Sequence, residues 1–180
     1  QASILEAVIP FTKEISVIVA RSSDHRVSCY DPAENIHENH ILRTSKVPAN
    51  ISPQLHEQAM TIAGAIAQAL DYVGVLAIEL FVTETGLMVN EIAPRVHNSG
   101  HWTMDACQTS QFTQHIRAVA GWPLASPERH CKVEMTNIIG AEVHNWLEWA
   151  SRPDHHLHLY GKHEARQGRK MGHVNRLITD

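Results

Sequence analysis

Asn90-Glu91-Ile92-Ala93-Pro94-Arg95-Val96-His97-Asn98-Ser99-Gly100-His101-Trp102 brings acid, amide, arginine, histidine and glycine together in one short run. It follows the apolar strand Leu87-Met88-Val89, and helical spacing resumes only beyond Trp102. Polar groups this dense, with almost no helical or strand periodicity, are hard to account for as packing. A loop held by a rigid frame is where chemistry usually sits.

Upstream, Val75-Leu76-Ala77-Ile78-Glu79-Leu80-Phe81-Val82 is an apolar run of strand length with one acid inside it. A charge in such a run is costly unless it is paired or bound to a metal. Thr83-Glu84-Thr85-Gly86 supplies a hairpin turn that brings Glu91 back beside Glu79. Two carboxylates and the Asn90 amide form a set of oxygen donors suited to Mg²⁺ holding nucleotide phosphates. The hairpin and its loop point to an enzyme that uses ATP.

Around this hairpin the chain reads as α+β, an antiparallel sheet packed by helices. Residues 4–9 (stopped by Pro10), 14–20 and 26–30 read as short strands in a meander, with an irregular strand over 37–42. Ser52-Pro53 opens the longest helix, serine as N-cap and proline at the first helical position. Leu55, Ala59, Ile62, Ala63, Ile66 and Leu70 give it one apolar face, and Gly74 ends the segment. A second helix is expected over 103–120, then a strand over 132–137, a short helix over 145–149, a strand over 156–160 and a basic stretch over 162–173.

Composition narrows the classes. The 180 residues, 43% hydrophobic and 19% charged, suit one soluble globular domain or part of a larger one. A net charge of -4 argues against a general nucleic-acid binder. No apolar run reaches the ~20 residues of a membrane span, and Gln1 begins no signal peptide. Cys29, Cys107 and Cys131 form no CxxC pair and read as free thiols of a reducing cytoplasm. Among the 14 histidines, His155-His156-Leu157-His158 is a weak zinc pattern without a second ligand pair at a defined spacing. No glycine-rich phosphate loop is present. With residue 1 falling almost directly on a strand, the chain reads as a fragment.

Nearly end to end, from Glu6 through Lys170-Met171-Gly172-His173, the chain resembles the C-terminal part of the N5-carboxyaminoimidazole ribonucleotide synthases, an ATP-grasp family. The Asn90–Trp102 run and Arg166 to His173 are the most specific elements. Pro94-Arg95-Val96-His97-Asn98-Ser99-Gly100-His101 separates this group from formate-using and biotin-dependent cousins. Gln167 stands where proline is usual and Thr113 where glutamate usually follows Ser-Gln-Phe.

The resemblance implies an ATP-grasp C-terminal subdomain over 1–125 and a small, truncated, β-rich C-terminal domain over 126–180. The N-terminal substrate domain and the phosphate-gripping loop would be missing. The implied reaction joins bicarbonate to 5-aminoimidazole ribonucleotide through carboxyphosphate, at the expense of ATP, in purine biosynthesis. Glu6, Ala7, Val8 and Ile9 would read adenine from a hinge strand, Glu14 the ribose, and His37 a further part of the nucleotide. Asn90 and Glu91 would close on the phosphates, with Glu79 and Glu91 holding Mg²⁺ or Mn²⁺. Arg95 and His97 would be catalytic; Asn98, Ser99, His101, Lys162, Arg166, Arg169 and Lys170 would bind the ribonucleotide. A cytoplasmic homodimer acting on small molecules, with neither nucleic acid nor membrane as partner, is the implied setting.

Other readings stay open. Many residues could serve at Glu6 if only its backbone is used, and the basic stretch could be a solvated face. A non-catalytic remnant, another ATP-grasp carboxylate–amine ligase and a histidine-rich metal-binding module are the rivals.

Overall fold

The computed structural model describes residues 3–5 and 7–179. Its strands are β1 (Lys13–Arg21), β2 (Val27–Cys29), β3 (Ala33–Glu38), β4 (Ile41–Val47), β5 (Gly74–Thr83), β6 (Gly86–Ala93), β7 (Lys132–Ile139), β8 (His155–Leu159) and β9 (Lys170–Ile178). Its helices are α1 (Pro53–Ala69), α2 (Thr103–Ala106), α3 (Gln111–Val119) and α4 (Trp146–Ala150), with 3-10 turns at Asn98–Gly100 and Gly140–Asn145. One antiparallel sheet runs in the order β6-β5-β1-β3-β4-β7-β9-β8, and β2 pairs with the far end of β1.

Alternation along β1 and β5 decides what each sheet face covers. Ile15, Val17 and Val19 with Leu76, Ile78 and Leu80 pack against α1, whose seam is Ala59, Ala63 and Ala67. Small seam residues let the helix sit close to the sheet. The opposite residues, Ile18, Ala20, Val75 and Ala77, lie under Trp102 and Ala106 with Tyr30, Val133 and Met135. Ser16 and Glu79 share this second face, and they sit opposite each other in the ladder.

The α+β reading and the α1 cap hold: the Ser52 side chain accepts from Leu55 N–H at 3.2 Å. Several expectations change. Residues 4–9 do not form a strand where they are described; Ala7 and Val8 are exposed, and Pro10 has no N–H to give a ladder. Glu6 lies outside the described residues. The first three strands are not a simple meander, because β2 and β3 both pair with β1, along its two halves. The stretch 37–42 is not one strand: it holds the end of β3, a turn at Asn39 and His40 with φ of 51° and 62°, and the start of β4. The helix expected over 103–120 breaks into α2 and α3. Cys107 leaves to bridge Arg129, and Ser110 caps a new start by accepting from Thr113 N–H at 3.2 Å. Strands after residue 126 continue the same sheet, since β4 pairs with β7 from Val47↔Val133 to Thr44↔Thr136.

Candidate active site

The hairpin closes as the apolar alternation requires. Glu79 faces Glu91 and Leu80 faces Val89, so Asn90 is the extra residue of a β-bulge. Bulges re-aim side chains at strand edges, and this one sits directly beside the facing pair Glu79 and Glu91. Glu79 is half-buried while Glu91 and Asn90 are exposed on the edge strand β6. Burial raises the Glu79 pKa, and the Glu91 charge raises it further; Glu14 adds to this, while His37 and Lys170 pull it down. Those influences locate one cluster: Glu14, His37, Glu79, Glu91 and Lys170 share a face of the sheet. Within it the His37 imidazole Nδ1 and the Glu14 carboxylate contact each other directly.

The loop after β6 folds over this face. His97 Nε2 lies 3.5 Å from Glu79 Oε1. Burial lowers the His97 pKa to about 4, helped by the Arg95, Lys170 and His37 charges. Its backbone is clamped at two points by Gln111, which donates Nε2–H to His97 O at 2.7 Å and accepts His97 N–H at 2.9 Å. Gly100 is required there: an added Cβ would come within 2.7 Å of both Gln111 Oε1 and Ile18 Cγ1. Arg95 is exposed, its Nη1 donating to Val96 O at 3.0 Å.

Asn98 and His101 tie the loop to the later strands. Asn98 and Asn137 exchange two amide hydrogen bonds of 2.8 Å, and Asn137 also donates to Leu42 O at 2.9 Å. Tyr160 Oη lies 3.0 Å from His101 Nδ1 and 2.9 Å from His173 Nδ1. Burial brings His101 down to about 4 and His173 to about 3. Ser99 is the exception among the expected substrate ligands. It is fully buried, with its hydroxyl between Ser16 and His97, and so has no surface to offer a ligand.

The basic stretch divides. Lys170 is half-buried beside Glu79 and Arg95, and burial lowers its pKa. Lys162 Nζ donates to Lys170 O at 2.6 Å and lies 5.3 Å from the Tyr160 ring centre. Arg166 is paired with Glu164, whereas the Arg169 guanidinium reaches Glu164 O at a long 3.4 Å. The histidine cluster serves structure: His155 pairs with Asp154 at 2.8 Å and His158 with Asp105 at 2.8 Å.

Sequence reasoning missed Ser16, Asn35, Ser45, Gln111 and Asn137. All are buried polar residues inside or behind apolar strands and helix ends. The available signal was polarity at positions that alternation turns inward.

This fold and this hairpin define a class. The ATP-grasp domain family matches residues 1–112, and the chain belongs to it. The phosphoribosylaminoimidazole carboxylase C-terminal domain matches residues 134–180. The N5-carboxyaminoimidazole ribonucleotide synthase of Brucella melitensis is 53% identical over 176 residues, covering 97% of this chain and 49% of the relative. A crystal structure of an ADP complex of such an enzyme superposes with a TM-score of 0.92 at 48% identity, over 96% of this chain and 46% of that one. The enzyme of Aspergillus clavatus, in complex with ADP and 5-aminoimidazole ribonucleotide, gives 0.89 at 36% identity, over 93% and 47%. The chain spans about half the length of the relatives it matches.

Proposed function

We propose that this chain supplies the metal site and part of the nucleotide and substrate sites of an ATP-dependent carboxylating ligase. A bicarbonate oxygen attacks the γ-phosphorus of ATP, releasing ADP and giving carboxyphosphate. Its C–O bond to phosphate breaks, yielding CO₂ and phosphate. The exocyclic amine of 5-aminoimidazole ribonucleotide bonds to that CO₂ and passes a proton to phosphate, giving the N5-carboxylated ribonucleotide of purine biosynthesis.

The observation that carries this reading is Glu79 opposite Glu91, with His97 and Lys170 closing over the same face. Two adjacent carboxylates, one of them half-buried, are a poor arrangement for an apo protein and a good one for a divalent cation. Glu79 and Glu91 would hold Mg²⁺ or Mn²⁺, which when bound neutralises phosphate charge. Among the described residues no group of three or more His, Cys, Asp or Glu is assembled for a metal, so phosphate and water oxygens would complete the set.

In this reading Glu6, Ala7, Val8 and Ile9 would meet adenine, Glu14 and His37 the ribose side, and Asn90 with Glu91 the phosphates. Arg95 steadies the carboxyphosphate anion beside His97. Lys162, Arg169 and Lys170 take the ribonucleotide 5′-phosphate, with Arg166, Asn98 and His101 around them and Ser99 acting from behind. The division into 1–125 and 126–180, a homodimeric state and a cytoplasmic setting complete the reading; the three unpaired thiols support the last. An ADP-release assay with each substrate omitted in turn tests it. Release should need both bicarbonate and the ribonucleotide, and release indifferent to the ribonucleotide would overturn the assignment.

A further inference from the structure

Beneath the loop a line of buried polar side chains leads from β4 to Ser99. Ser45 Oγ donates to Asn35 Oδ1 at 2.7 Å, Asn35 Nδ2 to Ser16 Oγ at 2.9 Å, and Ser16 Oγ to Ser99 Oγ at 2.8 Å. They come from β4, β3, β1 and the loop, and Ser45, Ser16 and Ser99 are at most 1% exposed. A buried polar network in which each member is satisfied fixes one arrangement of its groups.

The end of this line settles the state of the His97 ring. The Ser99 backbone N–H can only donate, and it donates to His97 Nδ1 at 3.3 Å. Ser99 Oγ lies 2.9 Å from the same nitrogen. Having accepted from Ser16, that hydroxyl has its own proton to give. Nδ1 is thus an acceptor twice over, and the proton of a neutral ring must sit on Nε2. Nε2 is the atom that faces Glu79 Oε1, 3.5 Å away.

Resting on the function proposed above, we propose that Ser16 and Ser99 are positioning residues that hold His97 as its Nε2–H tautomer. The ring then meets Glu79, or an anion bound beside it, as a hydrogen-bond donor and not as a proton acceptor. Neutral imidazole is used as such a donor at other active sites. The partner of one ring nitrogen commonly dictates the tautomer at the other. Neither serine need touch a ligand for this, which is why their complete burial is compatible with a part in the site.

Imidazole ¹⁵N shifts of the histidine-labelled protein report the tautomer without any substrate, His97 being assigned by its missing signals in His97→Gln. The expected wild-type result is an unprotonated Nδ1 and a protonated Nε2. Ser16→Ala combined with Ser99→Ala should give a mixture of tautomers. Its kcat should fall about tenfold, the effect of about one neutral hydrogen bond, with the KM for ATP nearly unchanged. His97→Gln, which keeps a donor near the Nε2 position, should lose less activity than His97→Ala. A wild-type ring protonated on Nδ1 overturns the proposal, and so does an undisturbed Nε2–H in the double variant. Should the double variant not fold, Ser99→Ala alone and the wild-type spectrum still decide it. A negative carboxylation assay with the expected spectra would remove the proposed function and leave the positioning intact. A positive assay with the wrong tautomer would do the reverse.

Discussion

Glu79 concentrates the chemistry of this chain at the residue scale. Burial and a facing carboxylate both disfavour its charge, and a cation is the partner that reverses both. Glu79→Gln or Glu91→Gln should therefore lower ATP turnover by about a hundredfold or more, because metal-supplied charge stabilisation is worth several kcal/mol. Turnover near wild type in both, with unchanged circular dichroism, would remove the metal assignment. The cations divide by how firmly they are held. Arg166 is paired with a carboxylate, whereas the Lys162 and Arg169 side chains donate to backbone oxygens, Lys162 also lying over the Tyr160 ring, and both retain charge for a ligand. Lys162→Ala or Arg169→Ala should raise the KM for the ribonucleotide about ten- to a hundredfold, from roughly 1.5–3 kcal/mol per charge-assisted contact. Equal rises in the KM for ATP would place both residues elsewhere. Glu79 and Glu91 were legible because an acid in an apolar strand stands out against its neighbours. Ser16 was not, and Ser99 was expected as a ligand and not as a buried support, because a small hydroxyl in a strand or loop looks the same whether it meets water or a buried partner.

At the scale of elements, the hairpin and its loop act as one unit. β5 and β6 set the acids opposite each other, the Asn90 bulge turns the strand, and Gln111 at the start of α3 clamps the His97 backbone. Gly100→Ala should therefore destabilise the protein by about 1–3 kcal/mol, the usual penalty of overpacking. Its new methyl meets Gln111 and the buried Ile18 together. The urea midpoint should drop, and an unchanged midpoint would mean that the loop yields and does not hold His97. Hairpin, α1 and its cap could all be read from the sequence, since each follows from local chemistry: alternation, a turn, a Ser-Pro start. The break between α2 and α3 could not. Cys107 leaves the helix to pair with Arg129, a partner 22 residues away that no local pattern announces. The strand expected over 4–9 did not form among its described residues for a related reason, since an apolar run becomes a strand only beside another.

For the whole molecule, one sheet connects the β5–β6 hairpin to the basic stretch through β1, β3, β4, β7 and β9. Its far half leans on neutral histidines. His101 and His173 titrate at about 4 and about 3 against an ordinary 6.5, because burial disfavours their charged forms. Above pH 6.5 both are neutral folded or unfolded, and their contribution is fully present. Below it the unfolded chain takes up protons that the folded one refuses, so stability falls as pH drops from 6.5 towards about 4. Urea midpoints should fall steadily across that window, and a flat profile would contradict the burial of these rings. The carboxylates and cations on this sheet are proposed to serve carboxyphosphate chemistry. Its most direct measurement is the fate of oxygen from ¹⁸O-bicarbonate, using the longest product of the reading frame that encodes the chain, with ATP, Mg²⁺ and 5-aminoimidazole ribonucleotide. Bicarbonate oxygen should appear in the released phosphate while bicarbonate carbon enters the ribonucleotide. Phosphate carrying oxygen only from water, with no carboxylated product, would contradict it.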